Sequence, residues 1–599
     1  MKYRSRKDIP SEYKWDIEVI YSSNDEWEKD FKFVEDSIDK YSNYEGKLAE
    51  SSEILFKCLG FDEYIDLKLS KLHLYAFLAK DVDLNVSKYQ SMEGRMHTIY
   101  SSAKSKSSFI VPEILEIPER VLYKWMAENE QYRGYKHFFD NLFRQKQHSL
   151  TKKEEKILAL SSPALSTSSN AFGFFKNADL KYPTIKDENN EDVEITEGIF
   201  YSSMYSTNRE YRERVYRNYY KPYQEWQNTL ASLFTGNLQS HIFRSKARSY
   251  NSSLESALKP NNIPTSVYHN LIDSVNENVS VLHRWVGIKK RILGLEEIHP
   301  FDMYVTLFPE SKKEYSYEEG QKIVIESLKP MGFQYIEALN KAFDNRRIDV
   351  YETPGKRSGA YSSGVTIGVD PYVLLNWTNT YNDVSTLTHE MGHNMHSYFT
   401  GKYQPNIYAG YPIFLAEVAS ITNENMLHDY MMSIATSKQE KLTLLESYVN
   451  KIVSTYFRQT QFAEYEMLVH SKTEAGESLN AESLTNLYGE IYKKYYGNEI
   501  IADPEEFYTW SRVPHFYYGF YVYQYATGLA ASEVLAKQVL EEGEKGAGKV
   551  MKFLAAGKSN YAIDILKEAG VDLTQKSTLE AVTNKMTNLM NQIEELIQS

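Results

Sequence analysis

The chain has 599 residues, with 81 acidic side chains against 68 basic ones and a formal charge of −13. That balance argues against a nucleic-acid binder, which usually carries a basic patch, and suits a protein kept apart from its neighbours by net charge. The length allows three or four domains of roughly 100–200 residues, or fewer large ones, and a hydrophobic fraction of 42% is enough for a sizeable core.

The chain opens on Lys2, Arg4, Arg6 and Lys7 without an apolar run behind them, so its start does not read as a signal peptide. Residues 24–42 place Trp27, Phe31, Val34, Ile38 and Tyr41 at helical spacing, with Asn24 or Asp25 as the cap. Cys58 is the single cysteine, so no internal disulfide or cysteine-rich metal site can form, and a reducing compartment, the cytoplasm, is expected. Thr151 and Glu154 form a capping box ahead of Ile157, Leu158 and Leu160. Two short alternating runs around Asp187-Glu188-Asn189-Asn190 predict a surface hairpin over 180–196. Long helical patterns resume after it, dividing the chain into an N-terminal helical domain, 1–200, and a second domain, 201–599.

Helical patterns recur at 207–247, 265–293, 316–344, 439–474, 481–496 and 579–597. Residues 349–377 are Gly- and Ser-rich, then β-branched, then apolar, and predict two or three short strands. The longest apolar stretch, Gly519 to Ala536, is broken by Gln524, Gly528 and Glu533, short of the ~18 apolar residues of a membrane span. The 49 tyrosines give the chain an unusual supply of half-polar rings, suited to wet clefts. No repeat of a solenoid is apparent. Two phosphate-loop lookalikes fail: Gly543-x4-Gly548-Lys549 has Val550 where Ser or Thr is needed, and Gly557-Lys558-Ser559 has Lys552 where the first Gly belongs. Both are expected to be loops.

One motif carries chemistry. Residues 389–393 read His-Glu-Met-Gly-His. On a helix, positions i and i+4 share a face, so His389 and His393 can reach one metal ion, and two imidazoles suit zinc. Glu390, beside the first ligand, is placed to take a proton from water as general base. Chance placement gives about 0.04 such pentads in this composition, few but not none. Context strengthens the match: Asp383 can cap a helix from Val384 to Phe399, Gly401 can end it, and Leu387, Met391 and Met395 make a buried stripe. Buried structural histidines remain the bland alternative.

A catalytic zinc wants three protein ligands. His396 and Phe399 stand where the metzincin pattern needs Gly and His, so that class fails. A helix over Phe414–His428 offers Glu417 among apolar and small neighbours, where a buried acid needs a partner. Glu424 shares its face and could ligate instead, or orient a ligating histidine. His396 reads as a local hydrogen-bonding side chain near the helix end. Further on, residues 510–528 hold Arg512, His515, Tyr517, Tyr518, Tyr521, Tyr523 and Tyr525. Tyrosine hydroxyls and a histidine are neutral donors suited to stabilise an oxyanion. Read as one helix, Tyr517, Tyr521 and Tyr525 form a single core stripe, leaving one or two tyrosines for chemistry.

The block Asp383–Tyr398 resembles the oligoendopeptidase F branch of the thimet-oligopeptidase family of zinc peptidases. The resemblance extends to Ile9–Asp16, Gly355–Tyr361, Ala416–Ser420, Arg512–Gly528, Asn560–Asp564 and Ala569–Leu573. It implies a mostly α fold, two helical halves around a deep substrate channel with a small β region beside the active site. It implies one zinc ion on His389, His393 and Glu417, with Glu390 as base. His515 and a tyrosine among Tyr518, Tyr521 and Tyr523 would steady the oxyanion. Gly359, Ala360 and Tyr361 would hold the peptide backbone by strand-edge pairing. Short peptides are the implied substrates, with no nucleic acid and no membrane as partner. Two rivals stand beside this expectation: an open-cleft protease for folded proteins, and a helical peptide-binding protein with a vestigial metal site.

Overall fold

A computed structural model describes residue 3, residues 5–309 and residues 313–599; part of the basic start of the chain lies outside these. Helices make up nearly all of the regular structure, and five short strands complete it among the described residues. The predicted capping box at Thr151 and Glu154 is present. The first long helix, Asn24–Ser37, is capped by Ser23 rather than by Asn24 or Asp25.

The chain forms two compact units, each assembled from three separated segments. One comprises 1–147, 313–430 and 535–571, and the other 148–312, 431–534 and 572–599. Residue 200 falls within the helix Glu197–Met204 of the second unit, so the division at 200 does not coincide with these units.

In the first unit, Asn24–Ser37, Ser52–Asp81 and Ser87–Ser107 share a core that includes Trp27, Leu72 and Met96. The Trp27 indole N–H donates to the Leu72 carbonyl at 2.9 Å, so the ring is buried without an orphaned donor. Tyr372 and Leu374 join the same core and tie it to a three-stranded sheet. Residues 349–377 supply two of its strands, β4 (Tyr361–Ser362) and β5 (Val373–Leu374), while β3 (Ile348–Asp349) begins just before them. The order is β3-β5-β4, with β5 parallel to β3 and antiparallel to β4, which leaves β4 at an edge. The predicted hairpin is the pair β1 (Thr184–Lys186) and β2 (Asp192–Glu194), in the second unit.

The second unit explains part of the tyrosine content. Tyr216, Tyr219, Tyr220 and Tyr223 line one face of the helix Arg209–Glu225 and are essentially unexposed. The hydroxyls of Tyr216 and Tyr220 donate to Glu506 at 3.1 and 3.2 Å. Many tyrosines are therefore core residues, Tyr216 and Tyr220 with their oxygens satisfied inside, rather than residues of a wet cleft. The segment 543–549, expected as a loop, is instead mostly the helix Glu544–Ala555. Gly546 lies against the Gln538 backbone, where a Cβ would meet the carbonyl at 2.1 Å, so its glycine serves close packing rather than phosphate binding.

Candidate metal centre

The pentad sits in the middle of the helix Tyr381–Tyr403. Its true N-cap is Thr380, in a capping box with Asp383, whose carboxylate accepts from the backbone N–H groups of Thr378 and Thr380. Asp383 therefore works one turn further in than expected, and Gly401 lies inside the helix rather than ending it. Leu387, Met391 and Met395 are fully buried, as the stripe required. Burial of side chains of this size contributes about 1.5–3 kcal/mol each and fixes the rotation of the helix. The opposite face is left to His389 and His393.

The second helix runs Ile413–Ile434 and brings Glu417 to the pentad. The Nε2 atoms of the two histidines are 3.1 Å apart. Glu417 Oε2 lies 3.7 Å from His389 Nε2, and its Oε1 lies 3.9 Å from His393 Nε2. One donor atom from each of the three residues falls within 4.8 Å of the others. Donors bound tetrahedrally to zinc at about 2.0–2.1 Å lie about 3.3–3.4 Å from one another. The observed separations bracket that value, and two imidazoles with a carboxylate are a donor set that metal ions accept. Glu424 bonds to His389 Nδ1 and so turns Nε2 toward Glu417. Of the two roles open to Glu424 in the sequence, the contact with His389 Nδ1 fits orientation of that ring.

Gly392 is what lets the two helices approach. A Cβ there would stand 2.5 Å from Ser420 Cα and 2.9 Å from both Ala419 O and Ser420 N. Glycine costs a helix interior about 1 kcal/mol relative to alanine. That cost, accepted inside the pentad at Gly392, is a signal of close approach that the sequence itself carries.

Charge at the site follows burial. Glu390 is 7% exposed, and burial pushes its carboxyl up to about 7, against the pull of His389 and a hydrogen bond from the Ser362 backbone. β4 thus lies directly beside the pentad, with Tyr361 anchored by its hydroxyl to Asp81 at 2.9 Å and Asn376 donating to the Gly359 carbonyl at 2.8 Å. Burial disfavours a charged His389, but the bond to Glu424 and the neighbouring carboxylates outweigh it and raise its pKa. Burial, with the charge on His389, holds His393 down to about 3. His396 is fully buried, and neither ring nitrogen has a hydrogen-bond partner; it stacks on Tyr411 at 3.6 Å. The expected local hydrogen bond is absent, and the ring is held by stacking.

His515 and the tyrosines belong to the second unit. The segment is not one helix: a short turn of helix, Pro514–Tyr517, ends at Gly519 and Phe520, both in the left-handed region at φ 68° and 55°, and the next helix starts at Tyr523. The break defeats the stripe expected for Tyr517, Tyr521 and Tyr525. Tyr518, Tyr521 and Tyr525 gather round His515, with ring centroids 5.5–6.0 Å away. Tyr525 OH lies 3.4 Å from His515 Nε2. Tyr523 does not join them: it is 3% exposed and packs on Tyr268. Burial lowers the pKa of His515, which favours the neutral ring.

The model of peptidase family M3 matches residues 202–584, more than half of the chain, and that of oligopeptidase F matches residues 113–182. The chain belongs to peptidase family M3. It is 40% identical over 592 residues to oligopeptidase PepF of Bacillus subtilis, covering 99% of this chain and 88% of that protein. An oligoendopeptidase F homolog of Lactococcus lactis is 37% identical over 596 residues, 99% of each. Among solved structures, a putative peptidase from Chlamydophila abortus matches at a TM-score of 0.92 and 34% identity, covering 99% of this chain and 100% of that one. Oligoendopeptidase-F from Enterococcus faecium matches at 0.75 and 31%, covering 96% and 99%. The family member is accordingly a metalloendopeptidase, and a peptide-binding protein with a vestigial metal site is not favoured. Among the described residues no helix is long and apolar enough to cross a membrane.

Proposed function

We propose that His389, His393 and Glu417 hold one zinc ion and that the enzyme uses it to cut internal bonds of short peptides in the cytoplasm. The observation that carries this reading is the convergence of three donor atoms within 4.8 Å, with Glu390 buried beside them on the same helix. When bound, the ion acidifies water toward a pKa of about 7 and polarises a carbonyl. Glu390 takes the proton from the water that attacks the scissile carbonyl and returns it to the departing amine. His515, kept neutral by burial, and the hydroxyl of Tyr518, Tyr521 or Tyr525 donate to the developing oxyanion. Tyr523 is withdrawn from that role, since its ring belongs to the core.

Gly359, Ala360 and Tyr361 hold the substrate backbone. β4 pairs with β5 on one side only, so its other edge is open to an extended peptide, with the Ser362 N–H already turned to Glu390 and the Ser362 carbonyl left to accept. The buried single cysteine, Cys58, suits a reducing compartment.

The test is hydrolysis of a quenched-fluorescent peptide of about ten residues, a size that only an extended-strand mode need accommodate. Cleavage abolished by chelation and restored by zinc supports the reading; cleavage indifferent to chelation overturns it. A casein-sized chain cut as fast as its fragments would favour the open-cleft protease.

A further inference from the structure

The second unit holds two guanidiniums that the proposed mechanism does not use. Arg458 is the first residue of the helix Arg458–Glu474, and Arg512 follows the short helical segment Pro504–Ser511. Among the described residues neither has a carboxylate within ion-pair distance. Arg512 is 8% exposed; its Nε donates to Tyr220 OH at 3.2 Å and its Nη1 to Tyr201 OH at 3.3 Å. Those bonds use two of the five N–H donors of a guanidinium. Arg458 lies over the Tyr304 ring at 5.4 Å, with the Tyr496 hydroxyl within reach of its charge. The charges of both reach Tyr201, Tyr304 and Glu506.

Glu506 is an acid that feels both guanidiniums, and it is already occupied. Its carboxylate accepts from Tyr216, Tyr220 and Thr509. Burial pushes its carboxyl up, against the pull of the two guanidiniums. Two cations therefore stand against one acid whose oxygens are already engaged by Tyr216, Tyr220 and Thr509, an arrangement that a folded chain avoids unless an anion completes it. The rings of Phe200, Tyr219 and Tyr220 lie 5.6–5.9 Å from the Arg512 guanidinium and soften the imbalance without removing it. The Arg512 guanidinium beside Tyr201 holds that hydroxyl below the usual phenol range, a mark of unspent positive charge.

The place is not a closed core. Arg458 and Tyr304 keep contact with solvent although protein surrounds them. Tyr201 is 40% exposed at the rim. An anion entering past Tyr201 meets two planar donor forks and phenol hydroxyls, the chemistry that grips a carboxylate by paired hydrogen bonds. Arg512 also lies three residues before His515 on one segment, so a group held there is tied to the chain that carries the proposed oxyanion donors.

We propose that Arg458 and Arg512 form a subsite for a carboxylate of the peptide substrate, its free C-terminus or an acidic side chain near it. The proposal rests on the peptidase reading and deepens it: the enzyme measures its substrates partly by an anionic end.

The full-length enzyme decides this with three peptides of one sequence: the free acid, the C-terminal amide, and the amide carrying a glutamate near that end. The expected result is a KM about tenfold or more lower for the acid than for the amide, as charge-assisted hydrogen bonds imply. The acid-to-amide ratio falls toward one in Arg458→Gln. Recovery of low KM by the glutamate peptide supports the subsite and names a side-chain carboxylate as a source; no recovery, with the acid still preferred, supports it and names the C-terminus. Equal KM for all three refutes it without any variant. A preference that persists in folded Arg458→Gln refutes it as well. If that variant does not fold, Arg458→Lys keeps the charge but loses the fork, and an unaltered ratio there refutes the subsite. If no peptide is cleaved, the hydrolase reading fails, and fluorescence anisotropy of the labelled acid and amide decides: tighter binding of the acid supports the subsite, and equal affinity overturns it.

Discussion

Replacing Gly392 with alanine adds one methyl group at a residue that takes no part in the chemistry. Its Cβ would lie 2.5 Å from Ser420 Cα, and ordinary contact begins near 3.4 Å, so the helices must part by 3.4 − 2.5, about 0.9 Å. The obstacle is backbone, and no side chain can swing away. Ligand distances at a metal tolerate only about ±0.2 Å. Glu417, three residues from Ser420 on the same helix, is carried off with it, and its 3.7 and 3.9 Å separations from the histidines widen. Displaced supporting residues typically cost 10–100-fold in metal affinity. Overpacking costs ~1–3 kcal/mol, and alanine returns about 1 kcal/mol in helix propensity, so the expected net loss of stability is small. Zinc titration against a competing chelator, kcat/KM on one peptide, and a thermal melt of the metal-free protein are the measurements. Metal affinity and activity should fall together by about tenfold or more, while the metal-free melt shifts by a few degrees. Unchanged zinc affinity in a folded variant would refute the argument that this close approach builds the site.

Three further outcomes are expected. Glu390→Gln should bind zinc normally by the same titration and lose turnover by about 10²-fold or more, the contribution typical of a positioned base; ordinary hydrolysis by it would show that another group moves the proton. Glu424→Ala should weaken zinc binding by about 10–100-fold without abolishing it, whereas Glu417→Ala should abolish it; the same titration tells whether Glu424 orients or ligates. Glu466 is buried, accepts the Phe520 N–H at 2.7 Å and has its pKa raised by burial to about 8. Its folded form holds a proton that the unfolded chain releases above the usual carboxyl range, so this contribution is full at low pH and is lost as pH rises toward about 8. Glu466→Gln should therefore be more stable than the parent at pH 8, by on the order of a few kcal/mol, and no more stable at pH 4; denaturant unfolding at the two values reads the difference.

The sequence was most legible where one physical requirement acts alone. The pentad is local, and 3.6-residue periodicity is enough to put His389 and His393 on one face. Glu417 followed from the cost of an acid among Leu415, Ala416, Val418 and Ala419. The strands in 349–377 and the hairpin around Asp187 carried their own turn chemistry. Legibility failed where distant backbone decides. The cap at Thr380 competes with Asp383 only three positions away, and either could accept the first N–H groups. The break at Gly519 and Phe520 needs a non-glycine residue at positive φ, held by a hydrogen bond to Glu466, 54 residues earlier. Once that break exists, Tyr525 joins His515 and Tyr523 leaves it. The discontinuous units were equally hidden, because no linker composition marks a border where one unit borrows a segment from each third of the chain.

That borrowing has a consequence for how the enzyme is made. The pentad helix is held partly by the helix Glu544–Ala555, with Thr400 Oγ1 donating to the Leu554 carbonyl at 2.9 Å. The ribosome reaches Glu544 about 150 residues after His393, a delay of roughly 8–30 s at 5–20 residues per second. Throughout that interval the metal-binding face exists as sequence without its final support. Neither unit can close until nearly the whole polypeptide has emerged, so a nascent or C-terminally shortened chain should lack the assembled centre.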